Sequence, residues 1–182
     1  MARSGWWAGG WGLVVGLLLT AGVAEARELA GVRVPDSLTL EGRRVSLAHM
    51  ELKEKLFFKV YIWSLYLEQV SPKQSEVVSA NCVKRLQFRF LRDVRRDQLV
   101  EAFREGLASN PALRNTPLRD HLEQLLASLR DVPEGGELVL TYVPGGGLHV
   151  SGEASHGLTI PGKPFADALF VSWLETHPIF SR

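Results

Sequence analysis

Residues 56–67 read Leu-Phe-Phe-Lys-Val-Tyr-Ile-Trp-Ser-Leu-Tyr-Leu, which is the strongest strand signal in the chain. Aromatic and β-branched residues of this kind favour strands. Because both alternating faces are apolar, the run predicts a central strand or hairpin that is covered on both sides. Tyr61 shares its face with Lys59, Trp63 and Leu65.

The segments around this run predict further strands and helices. Alternating polar and apolar residues, separated by turn residues, indicate short strands at 32–34, 37–41, 43–47, 83–91, 137–143 and 148–151. Apolar residues at helical spacing indicate helices that begin near Asp97, Pro117 and Pro164, and a short helix through Val77 and Val78. We expect the last helix to be largely buried because it carries few charges. This order of elements predicts an α+β fold in which helices pack on one face of a mostly antiparallel sheet.

The composition is that of an ordinary folded domain. Of the 182 residues, 46% are hydrophobic and 23% are charged, which excludes a disordered or collagen-like chain. The 21 basic and 20 acidic residues leave a net charge of +1, so the chain as a whole has no global field for holding nucleic acid or an anionic membrane. Cys82 is the one cysteine, which excludes an internal disulfide and a multi-cysteine zinc site.

The amino terminus has the layout of a secretory signal. Residues 4–24 carry no charge, they follow Arg3, and they lead into Ala-Glu-Ala at 24–26. We expect cleavage after Ala26, which divides the chain into a signal peptide at 1–26 and a domain at 27–182. An uncleaved membrane anchor is the alternative, but the glycines and the small-residue ending favour cleavage. The mature protein would then be periplasmic or secreted, with no stable membrane span.

Motifs of common enzymes and metal sites are missing from the sequence. It contains no G-x-S-x-G, no H-E-x-x-H and no P-loop. The five histidines do not fall at metal-ligand spacing, and His149 and His156 flank a hairpin without a carboxylate cluster. We therefore expect no metal and no cofactor.

A group of basic residues lies near the 83–91 strand. We interpret it as a solvated face, because acidic residues dilute the charge and the phenylalanines of this strand lie on the opposite face from its arginines. The predicted export also removes the protein from nucleic acid. The group comprises Lys84, Arg85, Arg89, Arg92, Arg95 and Arg96.

Several segments resemble the chalcone isomerase-like family, particularly its secreted bacterial branch. The run at 57–67 is similar to the strand signature of that family, and Leu-Arg-Asp-Val at 91–94 and the hairpin at 147–152 also match. The most specific match is Ile-Pro-Gly-Lys-Pro-Phe-Ala-Asp-Ala-Leu-Phe at 160–170, followed by Trp173. The resemblance implies a large antiparallel sheet faced by a layer of helices, the open-faced sandwich of this family.

The resemblance also implies a site. Chalcone isomerases use an arginine to attract a phenolate and a threonine and a tyrosine to organise water; Lys53 takes the arginine position and Tyr61 the threonine position. Plant fatty-acid-binding members carry a tyrosine where Tyr61 falls. From spacing alone, Tyr61 would be an ordinary core aromatic and Lys53 a solvated residue. With the resemblance, we predict Lys53, Tyr61 and Tyr66 as ligand-binding residues, and no catalytic residue.

Three functions follow as hypotheses. The first is a non-catalytic periplasmic protein that binds a fatty acid or another small apolar carboxylate between sheet and helices. The second is an intramolecular lyase, an isomerase that acts on an enone. The third is a structural or partner-binding envelope protein whose cleft is filled by its own side chains.

Overall fold

The structure is a computed structural model that describes residues 26–71, 73–114, 116–177 and 179. Except for Ala26, the predicted signal peptide therefore lies outside the described residues. Within these ranges, no helix is long and apolar enough to cross a membrane.

The described chain has an α+β order, with five strands first and the helices and the remaining strands after them. Its strands are β1 (Ala26–Leu29), β2 (Val32–Pro35), β3 (Ser37–Leu40), β4 (Arg43–Lys55), β5 (Phe58–Leu67), β6 (Lys84–Phe90), β7 (Glu137–Val143), β8 (Gly147–Ser151) and β9 (Leu158–Ile160). Its helices are α1 (Gln74–Ser79), α2 (Arg96–Leu107), α3 (Thr116–Ser128) and α4 (Pro164–Thr176), with a 3-10 turn at Pro111–Arg114.

Seven strands form one antiparallel sheet in the order β3-β4-β5-β6-β7-β8-β9, and β1 pairs with β2 alone. Each strand of the large sheet pairs with its neighbours in sequence, so short connections build most of it. This arrangement confirms the predicted α+β fold.

The helices cover one face of the sheet, and the main core lies between the two layers. Helix α4 is at its centre and contacts each of the other three helices. Its side chains at Phe165, Leu169, Phe170 and Leu174 are buried, as its low charge predicted. Burial of side chains of this size stabilises the fold by roughly 1.5–3 kcal/mol each.

Asn110 attaches the end of α2 to α4. Its buried Nδ2 donates hydrogen bonds to the carbonyl oxygen of Ala168 and to Oγ of Ser172, both at 2.9 Å. Its Oδ1 accepts a hydrogen bond from the backbone N–H of Ala112 at 3.0 Å. The helix pair is thereby held at a fixed separation over the sheet.

The start of the 56–67 run differs from its prediction as a covered strand. Leu56 and Phe57 form a two-residue turn with φ of +50° and +69°, and β5 begins at Phe58. The register pairs Lys55 with Phe58 across this turn. Exposure is high at the tip and falls along β5, so only the strand from Ile62 onward is fully covered.

Lys84 corrects the prediction of a solvated basic face. It is fully buried, and its Nζ donates a hydrogen bond to the carbonyl oxygen of Val78 at 2.5 Å and lies 3.8 Å from the carboxylate of Asp167. Burial lowers the pKa of Lys84. The cause is the alternation of β6, which places Lys84 on the same core-facing side as Leu86 and Phe88.

Candidate ligand-binding site

A cavity of about 380 Å³ lies between the sheet and the helices α2 and α4. Its walls are mostly apolar. Strands β5 to β7 supply one wall, and the two helices supply the other. The apolar side chains that line it include Phe88, Phe90, Leu99, Phe103, Leu107, Leu138, Leu140, Leu169 and Trp173. This volume falls within the range of about 300–1,000 Å³ that is usual for small-molecule sites.

The polar side chains that line the cavity belong to residues that are exposed or half-buried. Lys53, Glu105 and Thr176 are exposed, and Tyr61 and His177 are half-buried. An apolar interior with a few polar groups at the mouth suits a ligand that has a long apolar part and one polar end.

The structure brings Lys53 and Tyr61 together, because they are direct partners in the register of β4 and β5. The Cβ atoms of such partners lie about 4.5–5.5 Å apart and their side chains point to the same face. Both side chains line the cavity. The alternation of the 56–67 run predicted the face of Tyr61 correctly, whereas the register that aligns it with Lys53 depends on a bulge at Lys53 and Glu54.

Two aromatic contacts hold the ring of Tyr61. It meets Phe88 edge-on at 5.6 Å and Phe90 at 6.0 Å between ring centres. Burial, with a contribution from the Glu51 carboxylate, raises the pKa of Tyr61 to about 12. The hydroxyl therefore stays protonated at neutral pH and can donate a hydrogen bond to a ligand.

His177 and Trp173 form a second polar element of the lining, which the sequence analysis did not include in the site. Their rings stack at 4.2 Å with an interplanar angle of 11°. Nδ1 of His177 lies 3.2 Å from the carbonyl oxygen of Trp173, which assigns a proton to Nδ1. Burial lowers the pKa of His177, and the positive charge of Lys53 lowers it further. The ring is therefore neutral at pH 7.

Tyr66, the third predicted ligand-binding residue, is not brought to this cavity. It lies on the opposite face of β5, in a smaller core with Val45, Leu47 and Val83. Its hydroxyl donates a hydrogen bond to the carbonyl oxygen of Pro35 at 2.9 Å. Its position is a consequence of strand alternation, since residues 61 and 66 differ by an odd number.

A groove of about 520 Å³ adjoins the cavity and shares Lys53, Tyr61 and Phe90 with it. Toward the β4–β5 turn, its lining includes Leu56 and Phe58. The mouth of the cavity therefore opens toward the turn.

The described residues contain no group of three or more His, Cys, Asp or Glu side chains that could hold a metal ion. His149, which flanks the hairpin, is within hydrogen-bond distance of Oγ1 of Thr159 at 3.1 Å. What the cavity offers is apolar surface, the hydroxyl of Tyr61 and the ammonium group of Lys53. Those groups suit the binding of an apolar anion.

Comparison with solved structures supports the fold. A fatty-acid binding protein of Arabidopsis thaliana has the same fold, with a TM-score of 0.61 over 84% of this chain and 88% of that chain. The two sequences are 16% identical. No curated protein sequence is significantly similar to this chain.

The sequence profile of the chalcone isomerase-like family matches residues 26–181. The match spans every strand and helix described above. It confirms the resemblance predicted from the strand signature and the closing helix. The chain belongs to the chalcone isomerase-like family.

Proposed function

We propose that this protein binds a fatty acid or a similar apolar carboxylate, without catalysing a reaction on it. The observation that carries the proposal is an apolar cavity with Lys53 and Tyr61 side by side in its lining. The similar fold of a protein described as fatty-acid binding supports the same function.

In the proposed complex, the hydrocarbon tail lies in the cavity and the carboxylate lies at its mouth. Each buried methylene group contributes about 0.8 kcal/mol, so the tail supplies most of the affinity. The hydroxyl of Tyr61 donates a hydrogen bond to the carboxylate, and the ammonium group of Lys53 supplies the opposite charge.

We further propose that the protein acts in the periplasm or outside the cell. The support is the signal-like layout of residues 1–26 in the sequence. Mass spectrometry of the exported protein tests this proposal, because cleavage after Ala26 gives Arg27 as the first residue. An exported protein that still begins at Met1 would contradict it.

The first experiment is native mass spectrometry of the purified protein, followed by solvent extraction of whatever is bound. We expect a fatty acid to co-purify, or added fatty acid to bind. If repeated preparations contain no bound ligand and the protein does not bind added lipid, the result would contradict the proposal. It would favour the third hypothesis, a partner-binding protein with a filled cleft.

The second experiment measures the two polar contacts with a medium-chain fatty acid. Lys53→Met removes the charge and keeps the apolar stem, so binding should weaken. We expect a loss of about tenfold and not more, because water screens the exposed ammonium group. Lys73→Met is the matched control, since Lys73 is exposed and lines neither the cavity nor the groove. Equal affinities for both variants would exclude Lys53 from the site.

Tyr61→Phe keeps the ring and removes only the hydroxyl. We expect binding to weaken by at least about tenfold, because a hydrogen bond to an ionised carboxylate contributes about 1.5–3 kcal/mol. Tyr66→Phe is the matched control: it removes a hydroxyl that is bonded to Pro35 on the other face of the sheet. That change should lower the free energy of unfolding and leave ligand affinity unchanged.

The lyase hypothesis has a separate test. The protein is mixed with a hydroxychalcone and the loss of visible absorbance is followed. We expect the spontaneous rate, because the resemblance puts Tyr61 at the threonine position of chalcone isomerases, where its bulkier ring leaves less room for a flat two-ring substrate. Cyclisation that depends on the protein and disappears in Tyr61→Phe would overturn the non-catalytic assignment.

A further inference from the structure

The tip of the β4–β5 hairpin is unusually apolar and exposed. Leu56 is 78% exposed, Phe57 is fully exposed and Phe58 is 64% exposed. Among the described residues, Val70 is the other large hydrophobic side chain with such exposure. Leu56, Phe57 and Phe58 are consecutive in the chain, so three of the four exposed side chains lie together at one turn. A contiguous apolar patch of this kind indicates an interaction site.

The backbone of this turn is strained by its side chains. Leu56 and Phe57 both have positive φ, a conformation that strongly favours Asn-Gly in two-residue hairpin turns. Leucine and phenylalanine are unfavourable there because their side chains clash with the backbone in the left-handed region. Folding stability alone would thus favour small polar residues at positions 56 and 57, and leucine and phenylalanine are neither small nor polar. Strain of this kind points to a functional role of the apolar side chains.

Positive charges surround the tip. Between residues 53 and 59, Lys53, Lys55 and Lys59 outnumber Glu54, so this segment has a net charge of +2, although the whole chain has a net charge of only +1. All three lysines are exposed. The guanidinium of Arg92 lies 5.7 Å from the ring centre of Phe58 and adds a further cation at the base of the tip.

We propose that this hairpin tip, residues 53–59, docks on the surface of an anionic lipid bilayer. The side chains of Leu56 and Phe57 enter the boundary between headgroups and acyl chains, and the lysines contact the anionic headgroups. The lysines favour lipid over a protein partner, because lysine is depleted in protein–protein interfaces while polybasic segments bind anionic membranes.

The position of the tip relates docking to the cavity. Leu56 and Phe58 line the same groove as Lys53 and Tyr61, and Lys53 and Tyr61 also line the adjoining cavity. A docked tip therefore places the mouth of the cavity at the bilayer surface, where an apolar carboxylate would enter or leave. Docking goes beyond the proposed function and does not require it, because the tip binds lipid whether or not the cavity holds a ligand.

The test is sedimentation with sucrose-loaded vesicles of phosphatidylcholine, with and without phosphatidylglycerol. The full chain is expressed and the exported protein is collected, so that parent and variants have the same amino terminus. The double variant Leu56→Asn/Phe57→Gly installs the favoured turn residues. We expect its partition onto the anionic vesicles to fall by at least about tenfold, while its melting temperature stays equal or rises.

Val70→Asn is the matched control, because it removes the exposed hydrophobic residue outside the tip; it should bind vesicles as the parent does. Lys55→Gln and Lys59→Gln should each weaken binding to anionic vesicles by about fivefold, and high salt should do the same.

Three results would overturn the proposal. The first is a parent protein that does not bind the anionic vesicles. The second is a Leu56→Asn/Phe57→Gly variant that binds them as well as the parent. The third is dimerisation through the tip in solution without vesicle binding, which would assign the patch to a second copy of the chain. The fatty-acid titrations are done without vesicles, so the two proposals fail independently.

Discussion

Replacing Gly106 with leucine should fill the cavity and at the same time strengthen the helix that covers it. Gly106 belongs to α2 and lines the cavity. Outside its chain neighbours and the backbone of its own helix, no heavy atom lies within 4 Å of the place where a Cβ would stand, and its φ is negative. A Cβ can therefore be added at Gly106 without clash or backbone strain, and the rest of a leucine side chain would extend from it toward the cavity.

The two effects have opposite signs and different origins: the loss of affinity comes from displaced ligand methylenes, and the gain in stability comes from the low helix propensity of glycine. A leucine side chain adds four carbon atoms and displaces about three or four methylene groups of a ligand tail. At about 0.8 kcal/mol per buried methylene, the loss is about 3 kcal/mol, or roughly a hundredfold in Kd. Glycine is less favourable than other residues inside a helix by about 0.8–1 kcal/mol, so the free energy of unfolding should rise by a little less than that amount.

Isothermal titration with fatty acids of increasing chain length measures the first effect, and urea unfolding measures the second. Gly106→Ala is the matched control: it should stabilise the helix equally well while leaving most of the cavity open, so its affinity should stay near that of the parent. The loss in Gly106→Leu should be smallest for short chains. If Gly106→Leu binds long chains as tightly as the parent, the tail does not lie under α2 and our assignment of the cavity is wrong.

Two further predictions concern stability. Asn110→Ala removes three hydrogen bonds of a buried side chain, so the free energy of unfolding should fall by about 2–4 kcal/mol in urea titration; a change near zero would refute the role of Asn110 in attaching α2 to α4. Burial lowers the pKa of His177, so the folded protein binds this proton less readily than the unfolded chain. The contribution of neutral His177 to the free energy of unfolding should be fully present above about pH 6.5, and it should decrease as the pH falls through the pKa of the folded state. His177→Phe keeps the stack on Trp173 and should flatten this dependence; equal acid sensitivity of both proteins would contradict it.

Much of the fold could be predicted because its elements obey simple periodicities. Alternation located β6 and β7, and helical spacing located α2, α3 and α4 close to their observed bounds. The second half of β4 could not be predicted in this way. Bulges between Leu47 and His49 and between Lys53 and Glu54 shift the pairing, so the residues between them do not alternate cleanly. The Leu-Phe turn was also missed because its residue types oppose its conformation.

The candidate site was predicted in part for similar reasons. Tyr61 could be placed on the core face by counting residues along β5, and the same counting puts Tyr66 on the other face and Lys84 in the core. Trp173 and His177 are different, because they come from the far end of the chain and reach the cavity only through the packing of α4. No spacing in the sequence relates them to Lys53.

A single strand relates the cavity to the proposed lipid contact. Along β5, Phe58 and Lys59 are exposed, Val60 and Tyr61 are half-buried, and the residues from Ile62 to Leu67 are buried. The helices therefore cover the inner part of the strand and leave its first residues uncovered. Because the cover ends near Tyr61, the apolar space beneath it has its mouth there, between core and solvent. The uncovered start of β5 thus lies beside the lining of the cavity, and in the docking that we propose its apolar tip would bring this lining close to a lipid surface.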